Sequence, residues 1–76
     1  MPCSNCYKLS DAASFGIARH MRVLARLEIA ELRQEEEKLP MLQAAVTEAC
    51  RARNRAIEAY KRHKETHQRN ASGQAA

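Results

Sequence analysis

From Ala12 to Lys38 the chain runs without a proline, its single glycine there (Gly16) stands near the start, and Pro40 then interrupts. Ala, Leu, Arg and Glu dominate this stretch, and all four favour helix. The residue before a proline avoids the helical region, so the break is predicted at Leu39. Pro40 itself suits the first turn of a second helix. The pattern predicts helices over about 11–38 and 40–68, with Ser10 or Asp11 as the first N-cap. Each would be about 40 Å long. So short a connection makes them antiparallel neighbours, giving an all-α, two-helix hairpin. Residues 1–10 read as a polar N-terminal arm and residues 70–76 as a disordered tail. With two glycines and two prolines in the whole chain, a β fold rich in hairpins is excluded.

Seventy-six residues form one domain at most, and much of the 45% hydrophobic content is alanine, which buries little area. Chains of this size are marginal alone and usually need a metal, disulfides or a partner chain to hold together. On helix 2, Leu42, Ala45, Ala49, Ala52, Ala56, Ala59 and His63 follow 3–4 spacing, flanked by Val46, Ile57 and Tyr60. Helix 1 has two apolar sides. Ala18, Met21, Ala25, Ile29, Leu32 and Leu39 form one, Val23, Leu27 and Ala30 the other, and Ile17 and Leu24 lie between. One partner helix does not cover so wide an arc. The expected solution is a homodimer, two hairpins making a four-helix bundle. Arg53 falls among the apolar positions of helix 2. A hinge at 39–40 sets it opposite about 27, where it either pairs with Glu28 or Glu31 or snorkels to water.

The net charge of +4 lies entirely in the second half. Residues 1–38 balance six bases with six acids, while 39–76 hold seven bases and three acids. A basic half reads either as a solvated helix surface or as a face for an acidic partner. Arg51, Arg55, Arg62 and Arg69 on the outer face of helix 2 could meet phosphates, but Glu48, Glu58 and Glu65 interrupt them. Neither a helix-turn-helix signature nor an aromatic stacking set accompanies them, so nucleic acid is the lesser expectation. No run approaches a membrane span, and the first ten residues lack the apolar core of a signal peptide. Three cysteines make an odd number, which argues against a disulfide framework and for a reducing, cytoplasmic setting.

Cys3 and Cys6 form a C-x2-C, and His63 and His67 form an H-x3-H on one helical face. Together they are the ligand inventory of a Cys2His2 zinc site. The gap between the pairs is too long for a finger, yet a hairpin folds residues 63–67 back beside 13–17, with the arm close by. Zinc would then staple the open end. The alternative is two free thiols on an arm and two solvated histidines. Cys50 reads as a small buried hydrophobe. Cys3 or Cys6 as nucleophile with His20, His63 or His67 as base would lack a pocket to orient them, so no enzyme is expected.

The Ser10–Gln68 hairpin, with its Ala/Arg-rich helices and Leu39–Pro40 turn, resembles the small helical proteins that temperate phages of high-GC bacteria encode to inhibit host machinery. That resemblance implies an inhibitor or modulator of a partner such as a transcription regulator, a pilus ATPase or a defence complex. The residues themselves point to a protein-binding face made of Arg19, Arg22, Arg26 and Arg33, with Val23 and Leu27 as apolar anchors. The second reading is a small zinc-stabilised protein that binds nucleic acid or regulates transcription.

Overall fold

The computed structural model describes residues 3–75, and the side chains of 3–67 among them. Two helices, α1 (Ser4–Leu32) and α2 (Leu39–Ala75), pack against each other as an antiparallel hairpin, joined by a turn and a short 3-10 segment at Glu36–Lys38. The fold is all-α, a rod 61 × 17 × 14 Å.

Both ends of α1 depart from the sequence expectation. The helix starts at Ser4, with Cys3 as its extended N-cap, so most of the expected arm is helical. The reason lies in the packing seam. Cys6, Leu9, Ala13, Gly16, His20, Val23, Leu27 and Ala30 alternate steps of three and four, and all are buried or half-buried. That heptad pattern carries the helix through Ser10 and Asp11 without a break. On α2 the same alternation runs through Leu39, Leu42, Val46, Ala49, Arg53, Ala56, Tyr60 and His63. Ala45 and Ala52 lie at its margin, half-buried, and Ala59 is exposed. At the far end α2 continues to Ala75, past the expected boundary at 68. Residues 71–75 include Ala71, Gln74 and Ala75, which favour helix, and contain no proline. Position 76, the last of the expected tail, lies outside the described residues, as do Met1 and Pro2 of the arm.

The chain reverses at 33–35 rather than at 39–40. Gln34 takes a left-handed backbone with φ of 58°. Its N–H donates to the Glu31 carbonyl at 3.2 Å, and the Glu35 N–H donates to the Ala30 carbonyl at 2.9 Å. These two bonds make a Schellman cap, which satisfies carbonyls left open at the end of α1. Leu39 adopts helical angles despite preceding a proline, because the 3-10 segment feeds it directly into α2. Pro40 then occupies the first turn, where its missing N–H is harmless.

Moving the turn resets the register. A Cβ built on Gly16 would sit 3.2 Å from the Arg53 Cα, so the two backbones are in near contact there. Arg53 therefore lies opposite Gly16, not opposite 27, and its Nη1 donates to the exposed Asn54 Oδ1 at 3.2 Å. Its stem lies on the seam and its head reaches the surface, the snorkelling alternative. Stepping from that pair by threes and fours brings Ala13 level with Ala56, Leu9 with Tyr60 and Cys6 with His63. Toward the tip it brings His20 level with Ala49, Val23 with Val46 and Leu27 with Leu42. Small residues stand on one side or both at Ala13/Ala56, Gly16/Arg53 and His20/Ala49, and at Gly16 the backbones approach closely.

The buried residues among those described are Ala13, Ala30 and Ala49. Tyr7, Phe15, Met21, Ile29 and Leu32 are exposed, Leu32 to 84%. The outward apolar side of α1 is therefore the Met21–Ile29–Leu32 side, and Val23 and Leu27 turn half-buried toward the hairpin seam. This exchanges the two sides as read from the sequence.

Candidate metal centre

The two seams end together at the open end of the hairpin. Cys3, as N-cap, and Cys6, one turn into α1, stand one helical turn apart. His63 closes the heptad row of α2, and His67 follows one turn later on the same face. The corrected register sets these pairs side by side, rather than setting 63–67 beside 13–17. One donor atom from each of the four residues falls within 4.8 Å of the others. Cys3 Sγ lies 3.3 Å from His63 Nε2. His63 Nε2 and His67 Nε2 are 3.0 Å apart, with the rings edge to face at 77°. Cys3, Cys6 and His63 are half-buried and His67 is exposed.

This arrangement is close enough to hold a metal ion. A tetrahedral ion with bonds of about 2.3 Å to sulfur and 2.0–2.1 Å to nitrogen separates its donors by about 3.3–3.8 Å. The nitrogen pair, at 3.0 Å, is tighter than that range and the widest separation, up to 4.8 Å, is looser. Two imidazole nitrogens and two sulfurs brought together are a donor set of borderline-soft character.

The electrostatics suit thiolate ligation. The backbone N–H of Cys6, followed by the His63 imidazole, lowers the Cys3 thiol to about 6. An anionic sulfur at a helix N-terminus meets the positive end of the helix dipole. Cys6 moves the other way. Its burial raises it first, and the neighbouring Cys3 sulfur adds to the rise. Among the described residues all three cysteines are free thiols, Cys50 half-buried on α2.

The residues read as a protein-binding face also find places. Arg19, Arg22, Val23 and Arg26 line one shallow hollow together with Phe15 and Ala45. Arg33 lines the next, with Arg26, Ile29, Ala30 and Leu42. Leu27 belongs to the hairpin seam instead. Phe15, Ala45 and Leu42 were not singled out for this face in the sequence. Only the α1/α2 register places them beside the arginine row.

No protein-family model, curated protein or solved structure matches this chain.

Proposed function

We propose that this chain is a zinc-stapled helical hairpin that acts as a protein-binding module, inhibiting or modulating the partner it covers. Zinc is the ion that a two-thiolate, two-imidazole tetrahedral set selects. Cys3, Cys6, His63 and His67 would hold it with no open position, which makes the site structural rather than catalytic. Such a staple suits a chain whose buried residues, among those described, are three alanines.

One observation carries the binding role: the large apolar side chains Tyr7, Phe15, Met21 and Leu32 lie outside the hairpin rather than within it. An exposed apolar patch rimmed by charge marks an interaction surface. A second copy of the chain would cover part of it, as a four-helix bundle. Among the described residues no helix is long and apolar enough to cross a membrane. Reduced thiols that ligate zinc fit a cytoplasmic setting.

The test joins metal content to partner capture. The purified protein should carry one zinc per chain by plasma mass spectrometry. Affinity capture from its native cell should recover one stoichiometric protein, lost in Leu32→Glu. Recovery of nucleic acid alone, with binding that weakens steeply in salt, would support the zinc-stabilised nucleic-acid reading instead.

A further inference from the structure

Two adjoining shallow hollows that share Arg26 form a groove along the arginine side of the hairpin. Its first hollow is lined by Phe15, Arg19, Arg22, Val23, Arg26 and Ala45. Its second shares Arg26 and continues through Ile29, Ala30, Arg33 and Leu42 toward the tip. The floor is apolar and comes from both helices: Val23 and Ala30 from α1, Ala45 and Leu42 from α2. Arg19, Arg22, Arg26 and Arg33, all exposed, line the groove from α1. The acid lining this groove is Glu35, and it is paired with Lys38, so the pair adds no net charge. Among the described residues none of Arg19, Arg22, Arg26 and Arg33 has a salt-bridge partner.

We propose that this groove receives an acidic amphipathic helix of a partner protein, which rests on the protein-binding reading above and names the partner's chemistry. Arg19 to Arg33 covers about 21 Å along α1, the length of about four helical turns. Arginines at steps of three, four and seven on α1 match carboxylates repeating at the same steps on a helix laid alongside. Each Arg–carboxylate contact can be bidentate, fixing orientation as well as adding affinity. Apolar residues on the guest helix between its acids would rest on Val23, Ala45 and Leu42, the helix-in-groove mode of recognition. The same floor disfavours nucleic acid. A phosphate backbone gains nothing from it, and Phe15 is the one aromatic ring lining the groove for a base to stack on.

The experiment is selection of a displayed library of random helical peptides against the zinc-loaded, full-length protein. Enriched peptides should carry Asp or Glu at i, i+3 or i+4, and i+7, with leucine-like residues between. Binding of such a peptide, followed by fluorescence anisotropy, should fall at least tenfold in the double variant Arg22→Glu/Arg26→Glu. It should stay unchanged in Arg51→Glu/Arg55→Glu on α2. A lysine-for-glutamate version of the peptide should recover binding to the reversed groove. Enriched peptides without acids, or equal binding by the reversed groove, would overturn the proposal. So would a random-sequence DNA duplex that bound tighter than any selected peptide. Should Leu32→Glu abolish capture of the native partner while Arg22→Glu/Arg26→Glu leaves it intact, the groove assignment fails and the protein-binding reading stands. Loss in neither variant overturns both.

Discussion

Cys3 Sγ lies 3.3 Å from His63 Nε2, across sixty residues of sequence. The contact is a consequence of where the chain turns. A Schellman cap at Gln34 puts Cys6 level with His63; a turn at Pro40 would have put the histidines a third of the way down α1.

Removing the metal should therefore loosen the molecule at the end opposite its turn. Chelation, or Cys6→Ser, is expected to lower the melting temperature by more than about 10 °C in a domain this small. Circular dichroism against temperature, with and without added zinc, measures it. A melting curve indifferent to both zinc and chelator would refute the staple.

The metal-free protein should respond to pH through Cys3. Its thiol is held at about 6 in the folded chain against an ordinary value of 9.0, so between those values the unfolded state binds more protons. Stability then rises with pH across that window and is lost as pH falls through about 6. Cys6, raised in the fold, contributes in the opposite sense and only as pH climbs past the ordinary thiol value. In the metal-free double variant Cys6→Ser/Cys50→Ser, where Cys3 is the thiol left, the thiolate absorbance should titrate near pH 6, because the backbone N–H of position 6 remains. A midpoint near 9 would show that the N–H does not act on the sulfur.

Gln34 holds a left-handed backbone that glycine adopts freely. Gln34→Gly should stabilise the hairpin by about 0.5–1 kcal/mol, a gain of several degrees. Gln34→Val should do the reverse. Equal melting temperatures for the two variants would mean that the cap does not govern the turn.

Two leucines on α1 should separate folding from association. Leu27 faces α2 and Leu32 faces outward. Leu27→Glu should unfold or strongly destabilise the hairpin, since it buries a carboxylate without a partner. Leu32→Glu should leave the fold and the zinc content intact and shift a dimer, seen by light scattering, to monomer. If Leu27→Glu melted like the parent chain, the seam would lie elsewhere.

The hairpin itself was legible from helix-forming composition and the scarcity of breakers. Its seam was harder to read because the heptad positions hold residues that do not look like core. Cys6, Gly16, His20 and Arg53 fill seam positions that an apolar count passes over. Leucine, isoleucine and methionine on the outer side of α1 drew attention to the wrong face. The turn was misplaced because Pro40 is a conspicuous breaker, whereas Gln34 lacks the glycine or asparagine that usually marks a left-handed cap. The ligand set survived this error, since C-x2-C and H-x3-H pairs are recognised by local spacing. Only the register, invisible in either pair alone, decides that they meet.

The exposed segment Glu36–Lys38 and the cysteine–histidine cluster sit at opposite extremities of the rod. With an ion in place, the polypeptide becomes a closed ring in which every residue from 7 to 62 lies between two fastenings. A protease that cut after Lys38 would then leave one particle rather than two fragments. The halves would part only when the ion was withdrawn, and covalent continuity at the turn would cease to be what keeps the helices together.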